Sequence, residues 1–113
     1  MKIRKYHLYL ADLNPRIGTE PGKTRPVVVL QTDLLNEAHC STIVCPVTTN
    51  VVMEASILRV HLGENEAGLK KKSDILVDRI RAIDNRRFIK EIGVLSPQLR
   101  EQLVRNVKIV LFE

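Results

Sequence analysis

The sequence predicts a mainly β domain with short helices, built as a small, strongly bent antiparallel barrel with a C-terminal amphipathic helix. Three observations carry this. Short β-branched runs follow one another with too little chain between them for the helix that each parallel connection needs. The run 74–83, DILVDRIRAI, is apolar at both ends and broken at Asp78 and Arg79, as in a strand that turns a barrel corner. The last segment changes to helical period: Leu99, Leu103, Val107, Val110 and Leu111 recur behind Ser96 as N-cap and Pro97 at the first helical position.

The elements follow in order. YHLYLAD (6–12) and RPVVVLQ (25–31) read as two strands, joined by NPRIGTEPGKT, whose prolines and glycines mark an irregular loop. DLLNEAHC after them has room for about two helical turns begun at Thr32 or Asp33. STIVCPV (41–47) is a third strand by β-branched density, with Pro46 suited to an edge or strand end. ILRVHL (57–62) alternates across two faces as a fourth, and GENEAGLKKKS after it is polar and turn-rich. One more short strand falls near Glu91 to Leu95, ahead of the closing helix.

A chain of 113 residues is the length of one domain, 1–113, and 44% hydrophobic with 27% charged residues supplies a core and argues against disorder. The first twenty residues hold no apolar run of signal-peptide length, and no segment approaches a membrane span of roughly 20 residues, so the chain reads as soluble and cytoplasmic with no membrane partner. Cys40 and Cys45 fit neither a disulfide framework nor a complete zinc pattern and read as two buried free thiols. Eighteen Lys and Arg against thirteen Asp and Glu give +5, which favours anionic partners such as nucleic acid. With only Tyr6, Tyr9, Phe88 and Phe112 as aromatics, a base-stacking platform has little support.

Several ordered motifs carry a resemblance over essentially the whole chain: Asp12-Leu13-Asn14-Pro15 after strand one, Gly18-Thr19-Glu20 in the loop, Arg25-Pro26-Val27 opening strand two, Pro46-Val47-Thr48 ending strand three, and the later DILVDRIRAID. The chain resembles the MazF/PemK family of toxins, the mRNA interferases. That resemblance implies an SH3-like barrel, a homodimer, and a sequence-specific endoribonuclease that cuts single-stranded RNA without metal or other cofactor. It also implies cyclic 2′,3′-phosphate and 5′-hydroxyl products, and restraint by a cognate antitoxin with a flexible acidic tail.

The family's catalytic arginine falls on Arg25 and its catalytic threonine or serine on Thr48, and Asp78 matches an acidic position that some members use. Thr19, Glu20, Lys23, Thr49, Asp78 and Arg81 are the RNA-binding or supporting candidates. Two departures stand out: Tyr6 and His7 where many members carry Gly-Asp, and Leu76 where some carry a second arginine.

The chemistry explains the residue types. A 2′-hydroxyl attacking phosphorus builds negative charge on the non-bridging oxygens; a guanidinium fork matches those oxygens and a threonine hydroxyl adds a short donor. Arginine stays protonated, so Arg25 is read as an electrostatic stabiliser, and His7, His39, His61 and Asp78 remain open as proton-transfer groups. Plainer readings compete: Thr48 and Thr49 as turn residues, Asp78 as an anchor of the strand break, His61 as a strand histidine, and Lys70 to Lys72 as a solvated turn or a nonspecific RNA-steering patch. His39, Cys40 and Cys45 lack a fourth metal partner. The loop Asn14 to Thr24 is expected to act as a lid ahead of Arg25. The rival from another class is a non-enzymatic gyrase poison of the CcdB type, similar in fold but acting through the end of its C-terminal helix.

Overall fold

The computed structural model describes residues 1–15, 17–19 and 23–113. Among these residues seven strands make one antiparallel sheet: β1 (His7–Asp12), β2 (Thr24–Val29), β3 (Ser41–Thr48), β4 (Arg59–Leu62), β5 (Ser73–Leu76), β6 (Arg81–Asp84) and β7 (Phe88–Val94). Along the sheet the order is β4-β5-β3-β2-β1-β7, with β6 also paired to β3. A one-turn helix α1 (Asp33–Asn36) lies between β2 and β3, and α2 (Pro97–Phe112) closes the chain.

The corner expected at Asp78 is real. Val77–Arg79 form a 3-10 turn, so one edge of β3 meets two consecutive strands: Ser41 to Val44 pair with β6, and Val47 and Thr48 pair with β5. This bends the sheet without closing it. Among the described residues no ladder joins β4 to β7, so the expected barrel is an open, curled sheet.

Alternation along the strands sorts the core into two layers. Leu8, Val28, Cys45, Val47, Val60, Ile75 and Val77 pack beneath Leu99 and Leu103 of α2; Tyr9, Ala11, Leu13, Val27, Val29, Val44 and Ile83 pack on the other side with Phe88. Val107 and Val110 join the α2 seam as their period predicts, whereas Leu111 is exposed because the seam has run past the sheet by the last turn. Ser96 caps α2, its hydroxyl accepting from Leu99 N at 3.3 Å, and Pro97 sits at the start.

Other boundaries moved. The segment expected to hold two helical turns holds one, because Thr32 caps it but the buried Asn36 turns back to bond the Gln31 carbonyl (3.0 Å) and the Asp33 carboxylate (2.9 Å). β4 begins at Arg59 rather than Ile57, and β7 begins at Phe88 rather than Glu91. Cys45 is buried as expected, its thiol pushed up to about 12 by burial, but Cys40 is exposed ahead of β3.

The polar loop between β4 and β5 is fixed by a close backbone approach. A Cβ on Gly93 would lie 2.3 Å from the Ala67 carbonyl oxygen, and one on Gly68, at φ +83°, would lie 2.3 Å from that of Ile92. Only glycine at both positions lets the loop lie against β7. Gly93→Ala should therefore lower stability by about 1–3 kcal/mol through forced backbone displacement, read as a lower chemical denaturation midpoint; an unchanged midpoint would show that this approach is slack.

Candidate active site

The site begins with the base of the β1–β2 loop. Asp12 Oδ1 accepts from Asn14 N at 3.0 Å, Asn14 Oδ1 accepts from Lys23 N at 2.6 Å, and Leu13 N donates to the Lys23 carbonyl at 2.9 Å. Leu13 is fully buried, and the Arg87 guanidinium grips the carbonyls of Asp12 (2.9 Å) and Asn14. The Asp-Leu-Asn segment is thus a clasp that returns the chain to β2 with Arg25 as its second residue.

The β2–β3 ladder then chooses what Arg25 faces. Val27 pairs with Pro46 and Val28 with Cys45; carried two residues past Val27, this antiparallel register brings Arg25 to Thr48. Both line one open cleft of about 380 Å³ with Lys23, Thr24, Pro26, Val47, Thr49, Leu69, Lys70, Lys71 and Ser73. Its described lining holds cations and hydroxyls and no carboxylate, so its field selects an anion. The larger cavity beneath the N-terminus, about 510 Å³, contains both Lys2 and Glu37 and lacks that polarity.

The hydroxyl of Thr48 accepts from Asn50 N at 3.1 Å. With that lone pair engaged, its proton remains to be donated elsewhere. Lys70 and Lys71 reach the cleft rim because the Gly68–Gly93 contact holds their loop, and Ser73 Oγ secures the Lys71 carbonyl at 3.0 Å. In the sequence, the lysine run was legible only as charge.

The other described candidates sit elsewhere in the single chain. Thr19 accepts from Arg79 Nη1 at 3.1 Å, and Arg79 lies 3.8 Å from Asp78, a group on the 3-10 turn that does not line the cleft. Arg81, on β6, pairs with Val44 of β3, away from the cleft lining. Glu20 lies outside the described residues, as do Arg16, Pro21 and Gly22 of the expected lid. None of the histidines lines the cleft: His7 meets Glu91 at 2.7 Å, His39 meets the Ser41 carbonyl at 2.9 Å, and His61 meets Asp74 at 2.6 Å. Among the described residues no three His, Cys, Asp or Glu side chains cluster as metal ligands.

Sequence reasoning passed over Asp74. It is fully buried, pairs with Thr48 across the β3–β5 ladder, and accepts from Val52 N (2.9 Å), Arg59 Nη1 (3.0 Å) and His61 Nδ1 (2.6 Å). Burial by itself raises this carboxyl, yet the bonds from Val52, His61 and Arg59 outweigh it and hold the group below its ordinary 3.8. A carboxyl lowered by folding adds stability that is complete above about pH 4 and is lost as pH falls through its lower folded value. Asp74→Asn should therefore cost stability at neutral pH and flatten the loss below pH ~4 in chemical denaturation. Asp33 and Asp84 are also held low, so the difference between the two curves isolates Asp74, and parallel curves would reject the assignment.

Comparison with known proteins agrees with this architecture. Residues 4–111 match the model of the PemK-like, MazF-like toxin of type II toxin–antitoxin systems. The chain is 30% identical to endoribonuclease EndoA of Bacillus subtilis (strain 168), over 98% of this chain and 96% of that protein. Among solved structures, it superposes on MazF of Deinococcus radiodurans with a TM-score of 0.85 at 22% identity, covering 100% of this chain and 99% of the other. The MazE–MazF complex of the same organism (form II) gives a TM-score of 0.78 at 22% identity, over 98% and 96% of the two chains. With the motif-bearing strands and the cleft in the same molecule, the conclusion is that this chain belongs to the PemK-like, MazF-like toxin family of type II toxin–antitoxin systems.

Proposed function

We propose that the chain is an endoribonuclease toxin that cuts single-stranded RNA at a defined short sequence, using Arg25 and Thr48 and no metal ion. The observation that carries this reading is their convergence on one lysine-rimmed cleft with no carboxylate among its described residues. RNA threads across Lys23, Lys70 and Lys71, which neutralise phosphates on either side of the scissile one. The neighbouring 2′-oxygen gives its proton to solvent and bonds phosphorus in line, the phosphorus–5′-oxygen bond breaks, and the departing oxygen takes a proton from solvent, leaving a 2′,3′-cyclic phosphate and a 5′-hydroxyl. The Arg25 guanidinium and the Thr48 hydroxyl donate to the non-bridging oxygens as their charge grows. Exposed Thr49 at the strand end contacts the flanking nucleotide. Thr19, Asp78 and Arg81 belong in this reading to the path of the RNA beyond the cleft.

A homodimer, and inhibition by an antitoxin whose acidic tail occupies the cationic cleft, complete the proposal; a relative of the same fold is solved as a MazE–MazF complex. The gyrase-poison alternative gains nothing from this site, since α2 contributes no residue to the cleft.

Incubation with long single-stranded RNA in excess chelator should give discrete cuts with cyclic-phosphate ends. Arg25→Ala and Thr48→Ala should each lower the cleavage rate on the order of 10²–10³-fold while remaining folded. Cleavage abolished by chelator would reject the metal-free mechanism, and full activity in either variant would reject that residue's role. Lys70→Ala combined with Lys71→Ala should raise KM and reduce the salt dependence of binding by roughly 0.7 log units per log salt for each lysine; an unchanged salt slope would remove them from the RNA path.

A further inference from the structure

Thr48 acts in the proposed reaction only if its hydroxyl proton points into the cleft, and a chain of bonds behind it sets that direction. Thr48 Oγ1 accepts from Asn50 N at 3.1 Å. The Asn50 carbonyl accepts from Arg59 Nη1 at 3.0 Å, and the same Nη1 lies 3.0 Å from Asp74 Oδ2. Asp74 Oδ2 also accepts from Val52 N at 2.9 Å, so one carboxylate grips the turn after β3 both directly and through Arg59. Thr49 and Asn50 are themselves exposed, and these bonds tie their turn to β4 and β5.

The bonds to Asp74 add stability, and the way they are arranged gives the cluster a second role. Asp74 is wholly buried and registers with Thr48 on β3 and His61 on β4, on the strand face opposite to that of Ile75 and Val47. Buried ionic groups of this kind are often no more stable than apolar replacements. The cluster also carries a cost, because His61 Nε2 is buried with no hydrogen-bond partner among the described residues. A network that holds a loop at some expense fits a positional role.

We propose that Asp74 and Arg59 are positioning residues for Thr48: they hold the 49–52 turn so that the Asn50 N–H occupies one lone pair of the Thr48 hydroxyl and turns its proton toward the bound phosphate. The inference rests on the nuclease reading above. His61 supports Asp74 from the opposite side through its 2.6 Å bond.

The test is a cycle of wild type, Asp74→Asn, Thr48→Ala and the double variant, with kcat and KM measured on an oligoribonucleotide cut by the wild type. Asp74→Asn should lower kcat by on the order of 10–100-fold with little change in KM. In the Thr48→Ala background it should cause no further loss, since the hydroxyl it positions is gone. In a Thr48→Ser background, which keeps a hydroxyl, its effect should return. An equal loss with and without the hydroxyl, or no loss at all, overturns the proposal. Should Asp74→Asn fail to fold, Arg59→Lys is read in the same cycle, because it keeps a cation beside Asp74 and cannot span both acceptors equally.

Amide hydrogen exchange at Asn50 supplies a readout independent of activity. Protection present in the wild type and lost in the Asp74→Asn or Arg59→Lys protein supports the clasp, and unchanged protection overturns it. If the wild type cuts no RNA, or Thr48→Ala cuts as the wild type does, the nuclease reading fails, while the exchange result still decides whether the clasp exists.

Discussion

The antiparallel ladder between β2 and β3 is the constraint on which the rest of the structure depends. Its register pairs Val27 with Pro46 and, carried two residues on, brings Arg25 and Thr48 to the same cleft. A slip of one residue would exchange the two faces of β2, placing Val28 where Val27 now packs and turning Arg25 away from the cleft. β3 resists such a slip because it is held on both edges, by β2 on one side and by β5 and β6 in turn on the other. Thr42, Val44, Cys45, Pro46 and Val47 are consequently all buried, and the Cys45 thiol, pushed up to about 12 by burial, is chemically quiet.

Strand pairing alone places only the strand ends, and the loops beyond them are held by side chains bonded to backbone. Asp12, Asn14 and Arg87 close the base of the β1–β2 loop ahead of Arg25, while Arg59 and Asp74 grip the turn after Thr48. Such bonds satisfy backbone groups that a loop leaves unpaired and reduce the freedom of the segment carrying the functional group. A third loop is held differently, by the close passage of Gly68 and Gly93, which sets Lys70 and Lys71 at the cleft rim. Three supports of two kinds therefore converge on one cleft.

The electrostatic asymmetry follows from the same folding. A formal charge of +5 is modest for the whole chain, and carboxylates are scattered over its surface, as at Asp84 beside Arg86 and Asp78 beside Arg79. What matters for an anionic ligand is that Lys23, Arg25, Lys70 and Lys71 border one concavity without a carboxylate among its described residues.

The sequence by itself determined the number and order of most elements, because strand alternation, the Ser96-Pro97 cap and the break at Asp78 are local signals that act within a few residues. It also marked Arg25 and Thr48, through motifs at strand ends, and the family to which the chain belongs. Closure of the barrel, the length of α1, the exposure of Cys40, and the gathering of Lys70, Lys71 and Ser73 beside Arg25 were decided only by tertiary structure. Asp74 was hidden for the same reason: it reads as one acidic residue before an apolar run, and its role arises from Arg59, His61 and Val52, which only the β4–β5 pairing and the returning turn bring to it. Local pattern reports which residues share a strand or helix face, whereas contacts between distant segments depend on register and loop closure, which no single segment encodes.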